Sequence, residues 1–214
     1  MFFVIDGIDA SGKTTQVELL SVRLREMGKT VKVIDFPRYT QESSYFVRQY
    51  LSGKYGDFVD AKKSSLFFAL DRFQASFELR EDLKKYDYII ANRYVSSSMI
   101  HHACKIENEK ERQAFIAWLE ELEYEICAIP RPDKIFFLSL SFENNIKLLT
   151  QRNLEKEIVK FDLHESDKEH LQKAWNMAHQ IAHEKTWETI LCEEDGIILS
   201  KEEISKKILK KLLP

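Results

Sequence analysis

Gly7-Ile8-Asp9-Ala10-Ser11-Gly12-Lys13-Thr14 fits G-x-x-x-x-G-K-[ST] at every fixed position. Residues of these types at this spacing bind the phosphates of a nucleoside triphosphate. The glycines let the backbone wrap an anion, and the free N–H groups of the following helix point at it. Gly7, Asp9, Ala10, Ser11, Gly12, Lys13, Thr14 and Thr15 are therefore the expected ATP-binding residues. Lys13 should reach the β/γ-phosphates, and the Thr14 hydroxyl should ligate Mg²⁺. A plain glycine turn before a helix is the rival reading, but the motif follows an apolar strand-like run and opens a helix-like one, which is its working context. No Asn-Lys-x-Asp guanine-reading segment is present, so a GTPase is disfavoured. At 214 residues the chain is short for a motor or large ATPase module. Small metabolite kinases and P-loop binding proteins remain.

An acceptor needs its own residues. Phe36-Pro37-Arg38-Tyr39 and Asn92-Arg93-Tyr94 each close an expected strand. Proline cannot continue a central strand, so the chain must turn at Pro37. In open α/β sheets ligands bind outside the carboxyl ends of the strands, which puts Arg38 and Arg93 on the ligand side. Two guanidinium forks suit a second phosphate. Phe68 and Arg72 lie four apart, so they share a helix face on which a ring could stack on a base and an arginine could donate to its carbonyl. Taken alone, the Phe67–Phe77 run reads better as core or interface.

These residues need a frame. The expected strands are 2–6, 30–36, 88–92, 134–140 and 189–192, short and rich in Ile, Val, Phe and Tyr, as buried parallel strands tend to be. The expected helices are 13–27, 42–51, 61–84, 112–127, 142–152, 165–186 and 201–212. Alternation of the two predicts an α/β fold with a parallel sheet. Residues 201–212 read as an amphipathic helix covering the sheet rather than a membrane anchor. The charged stretch 153–161 reads either as a solvated helical extension or as a lid that excludes water from phosphoryl transfer.

Composition sets the outer limits. The length predicts one domain. A net charge of −3 argues against a dedicated binder of polymeric nucleic acid. Cys104, Cys127 and Cys192 are too few and too scattered for a disulfide framework or a zinc site, so a reducing, cytoplasmic setting is expected. The apolar start Phe2–Ile5 is too short for a signal sequence, and no run reaches the roughly 20 apolar residues of a membrane span.

Together the motifs resemble the thymidylate kinase family, from the P-loop to about Trp175. The opening strand is similar, with Asp6 where the family usually has Glu. Phe36-Pro37-Arg38-Tyr39, Leu66-Phe67-Phe68-Ala69-Leu70-Asp71-Arg72, Asn92-Arg93-Tyr94, Leu122-Glu123-Tyr124-Glu125 with Pro130-Arg131-Pro132-Asp133, and Asp162-Leu163-His164-Glu165 follow in the family's order. The resemblance implies a P-loop three-layer sandwich, in which helices flank a five-stranded parallel sheet, with a short mobile lid at about residues 152–163. It implies transfer of the γ-phosphoryl of ATP to dTMP with Mg²⁺, no polymeric nucleic acid or membrane partner, and a homodimer. By the same resemblance Asp9 would sit near the sugar, and Phe36, Arg38, Phe68, Arg72, Arg93, Ser98 and His101 would bind the acceptor nucleotide. Lys13, Asp9, Arg93 and Arg152 would be the catalytic set, and Lys156 and Lys160 are further lid candidates. Thr14, Asn92 and Asp9 would hold the metal.

Three departures matter. Asn92 replaces the family's usual Asp, so Asp9 or Asp6 is expected to take part of the metal's charge. His101 stands where a Tyr or Phe often faces the deoxyribose, and Ser98 where some members carry an Asn. Two other readings compete. A deoxynucleoside kinase would use Asp6 as base, and two phosphate-clamping arginines argue against it. A nucleotide-binding pseudoenzyme is motivated by Asn92 and opposed by the intact Lys13-Thr14 pair.

Overall fold

The computed structural model describes residues 1–155 and 168–213. Strands β1 (Phe2–Asp6), β2 (Val31–Asp35), β3 (Tyr88–Asn92), β4 (Lys134–Ser139) and β5 (Glu188–Leu191) form one sheet in the order β2-β3-β1-β4-β5. Every pairing in it is parallel. The inner strands β3, β1 and β4 are nearly continuous apolar runs because both their faces are covered. Along β1 the side chains alternate: Phe3 and Ile5 enter one core, Phe2 and Val4 the other.

The first core is closed by α1 (Lys13–Glu26) and α8 (Lys201–Leu212) through Val17, Leu20, Leu24, Ile204, Ile208 and Leu212. The amphipathic reading of α8 holds, and a Ser200–Glu203 capping box starts it. The second core is closed by α3 (Ala61–Lys85), α4 (Val95–Ala103), α5 (Glu109–Glu120) and α7 (Lys168–Glu184). The three-layer α/β sandwich is thus as expected. Between β2 and α3 lies the short α2 (Tyr45–Leu51), and α6 (Phe142–Glu155) follows β4.

Some boundaries move. The helix expected at 112–127 starts at Glu109, where Asn108 caps it, and ends in a π-turn over Glu121–Ile126. The expected helix at 142–152 runs on to Glu155. The start of the helix expected at 165, the Asp162–Glu165 segment, Lys156, Lys160 and most of the expected lid lie outside the described residues. Helix α4 and the hairpin β6 (Glu193–Glu194) with β7 (Ile197–Ile198) had no counterpart in the sequence reading. Three consecutive serines hid α4, because serine hydroxyls compete for the backbone and weaken helix propensity. Among the described residues, no helix is long and apolar enough to cross a membrane.

From β1 the chain crosses β3 to reach β2, and from β3 it crosses β1 to reach β4. The loops leaving neighbouring β1 and β3 therefore part in opposite directions, which opens a crevice at their carboxyl ends.

Candidate active site

The P-loop leaves β1 at Gly7, whose φ is 154°. A Cβ there would stand 2.6 Å from Ser11 Oγ and 3.0 Å from the Leu138 carbonyl, so only glycine fits. Gly12 adopts φ 90° and starts α1 without a side-chain cap, and no acid occupies the first turn. Helices α3, α5 and α8 are each capped by a side chain. The first N–H groups of α1 are thus left for an anion. Thr14 and Thr15 are exposed on that turn.

Lys13 folds back on the loop, its Nζ donating to Gly7 O at 3.0 Å and Ile8 O at 2.6 Å. Burial, then the neighbouring Arg93 and Arg152 guanidiniums, pull its pKa down to about 7, against the pull of Asp9 and Asp6. An arriving phosphate reverses that balance. Asp9 pairs with Arg93. Burial opposes its ionisation, but Arg93, His101, Lys13 and Arg152 outweigh burial and hold its carboxyl well below the usual range. Arg152, on α6, is therefore within electrostatic reach of both. Asn145, also on α6, fixes the loop by donating Nδ2 to Asp9 O at 2.6 Å.

Arg93 occupies the left-handed region at φ 66°. Such a non-glycine conformation costs about 1–3 kcal/mol and persists only where the surroundings determine it. Here Arg93 N donates to Ile5 O at 3.1 Å, and its guanidinium meets Asp9, Ser97 and His101. His101 Nε2 lies 3.1 Å from Arg93 Nη1. Arg38 is held by Asp71, which accepts from its backbone N at 2.8 Å and its Nε at 3.2 Å, with Ser43 on Nη2. Arg38 and Arg93 line one outer cleft together with Asp35 and Asn92.

An inner cavity of about 130 Å³, partly open to solvent, adjoins that cleft. It brings together Asp9, Phe36, Phe68, Arg72, Arg93, Ser98 and His101, seven of the eight expected acceptor-binding residues, with Arg38 in the neighbouring cleft. Phe68 packs 5.1 Å from the His102 ring and 6.2 Å from Tyr50, centroid to centroid. Arg72 is fully buried in a bidentate pair with Glu123: Nε to Oε2 at 2.6 Å and Nη2 to Oε1 at 2.5 Å. Arg72 Nη2 also donates to Ser98 Oγ at 2.8 Å. Burial works against its charge, but Glu123 outweighs burial and raises its pKa.

A family model described as thymidylate kinase matches residues 5–204. The chain belongs to the thymidylate kinase family. The thymidylate kinase of Mycobacterium tuberculosis (strain H37Rv) is 32% identical over 145 residues, 67% of each chain. A protein named "Probable thymidylate kinase" from Methanococcus aeolicus is 30% identical over 219 residues, 99% of this chain and 95% of its own. A solved thymidylate kinase from Candida albicans shares the fold, with a TM-score of 0.75 at 20% identity over 99% of this chain and 90% of that one.

Several residues that hold these side chains in place were not singled out from the sequence. Asp71 orients Arg38, and Glu123 orients Arg72. Ser96 and Ser97 donate to Asp6 at 2.5 and 2.8 Å, and Gly7 N donates to it at 2.8 Å. Asp6 is fully buried by these bonds, which removes it from the metal role considered for it. Asp71 and Glu123 stood inside matching motifs, but nothing in spacing paired them with arginines 33 and 51 residues away.

The donor set fits a hard divalent cation carried by phosphates. Mg²⁺ is usually held by one or two carboxylates plus substrate oxygens. Thr14 Oγ1, Asn92 and Asp35 adjoin one another at the ends of α1, β3 and β2. Thr14 and Asp35 are exposed there and offer a hydroxyl and a carboxylate, whereas the oxygen of Asn92, expected to hold the metal, is buried away from them without a hydrogen-bond partner.

Proposed function

We propose that the chain catalyses phosphorylation of dTMP to dTDP by Mg-ATP. The observation that carries this reading is one cavity with a base end and a phosphate end. Phe68 and Arg72 stand at the first, Arg93 at the second, and the P-loop Asp9 lies on its wall. Ring stacking and a buried, pre-oriented guanidinium suit a pyrimidine with a carbonyl acceptor. Arg38 and Arg93 suit the acceptor phosphate.

The acceptor phosphate is already ionised, so no strong general base is needed. Its oxygen attacks the γ-phosphorus in line while the ADP oxygen leaves. Lys13, Arg93 and Arg152 supply positive charge where the transferring oxygens develop negative charge. Asp9 holds Arg93 in register for both nucleotides. Thr14 and its neighbours would hold Mg²⁺, which when bound would neutralise charge on the donor phosphates. We read the chain as one domain built around the five-stranded sheet, and its three free cysteines support a reducing, cytoplasmic setting.

ADP release with Mg-ATP should be measured for dTMP, dUMP, ribo-TMP and thymidine in parallel. Turnover of dTMP ahead of dUMP is expected. Turnover of thymidine alone would move the protein to the nucleoside kinases.

We also infer a homodimer through α3. Leu66, Leu70, Phe73 and Phe77 share one face of that helix, and Leu70 and Phe77 are 52% and 56% exposed. Apolar side chains at this spacing on a solvent face mark an interface. Sedimentation velocity should show a dimer that Leu70→Glu converts to monomer. A wild-type monomer at micromolar concentration would refute it.

A further inference from the structure

Strands β2 and β3 end side by side, with Asp35 in register with Asn92. The Asn92 carboxamide Nδ2 donates to Asp35 Oδ1 at 2.7 Å and to Thr14 Oγ1 at 3.2 Å. The sense of that amide is dictated by its partners. Flipping it would set Oδ1 against the Asp35 carboxylate, and a like-polarity contact would replace a hydrogen bond. The oxygen of Asn92 therefore points into the protein, where it is buried, and the side of the amide that faces the P-loop is a donor. A donor is not a metal ligand.

P-loop enzymes hold Mg²⁺ with the loop hydroxyl and a carboxylate from a neighbouring strand end. Of the carboxylates near Thr14, Asp6 is fully buried under Gly7, Ser96 and Ser97, and Asp9 is paired with Arg93. Asp35 differs from both. It is exposed, it lines the outer cleft, and one amide separates it from the Thr14 hydroxyl.

We propose that Asp35 is the outer-shell carboxylate for the metal of Mg-ATP, with Asn92 as the amide that locks Asp35 and Thr14 together. The negative charge that an acidic residue at position 92 would bring is supplied here from the adjacent strand. The proposal rests on the Mg-ATP part of the functional reading and is independent of the acceptor's identity.

Mn²⁺ is the probe, titrated by electron paramagnetic resonance against the protein saturated with a non-hydrolysable ATP analogue. Asp35→Asn should weaken Mn²⁺ binding by about 10- to 100-fold, the usual effect of losing an outer-shell partner. Analogue affinity in EDTA should stay within about twofold, since the P-loop itself is untouched. Adding Asn92→Asp to Asp35→Asn should restore most of the Mn²⁺ affinity by returning the charge to the neighbouring strand. Unchanged Mn²⁺ affinity in Asp35→Asn would overturn the proposal, as would equal losses with and without metal, or a double variant no better than the single. Wild-type protein that binds no analogue would bring down the ATP reading and this inference with it.

Discussion

Lys13→Met should lower kcat by about 10²–10³-fold while leaving the fold intact, the cost of removing one preorganised donor from a developing anion. The effect should fall on kcat more than on the KM for dTMP, because Lys13 lies on the P-loop and is absent from the walls of the acceptor cavity. Met keeps the stem packed and removes only the charge. A second readout follows from the pKa of about 7 that burial and Arg93 give Lys13 in the free protein. At pH 8 the free side chain is mostly neutral, and polyphosphate raises its pKa, so the complex holds more protons than its parts. ADP binding should take up close to one proton at pH 8 and little at pH 6, and ADP affinity should fall as pH rises from 7 to 10. Calorimetry in buffers of different ionisation enthalpy reads this directly. Lys13→Met should abolish the uptake. Wild-type binding at pH 8 without proton uptake would mean that Lys13 is already charged when the loop is empty.

The second large effect is expected at a residue away from the phosphates. Glu123→Ala leaves the fully buried Arg72 guanidinium without its carboxylate. Breaking one side of a buried ion pair costs about 3–5 kcal/mol. For a chain of this size that corresponds to a Tm lower by roughly 6–20 °C. Ser98 Oγ and the Tyr94 carbonyl remain as partners for Arg72, but both are neutral. The pair Arg72→Met with Glu123→Leu removes both charges and should regain most of the lost stability. Its KM for dTMP should nonetheless stay raised by at least tenfold, the order expected for one lost hydrogen bond to a charged group. Stability and base reading are thereby separated. A Glu123→Ala variant that melts within 2 °C of wild type would show that Arg72 is not held by this pair.

Both predictions concern side chains whose types are visible in the sequence but whose partners are not. The phosphate loop was legible residue by residue, from Gly7 to Thr14. Its function is a local backbone shape, and local shape depends on neighbours in the chain. The sheet was legible for the same kind of reason. Five apolar runs between amphipathic ones leave few ways to bury both faces, and an α/β sandwich is the simplest.

Where two segments meet depends on topology, and there the sequence was silent. Placing β3 beside β1 sets Ser96 and Ser97 over Asp6 and turns an apparent metal candidate into a saturated structural carboxylate. Placing β2 beside β3 sets Asp35 against Asn92 and brings into the site an acid that no motif had marked. Helix α4 was missed because its serines read as loop residues, yet those hydroxyls make the helix useful here, with partners on β1 and α3. The sequence by itself determined the phosphate chemistry, the fold class and most of the side chains that meet in the cavity. The tertiary structure alone decided which carboxylates are committed to arginines, which is buried under hydroxyls and which is left facing the cleft, because those assignments are made by contacts between residues tens of positions apart.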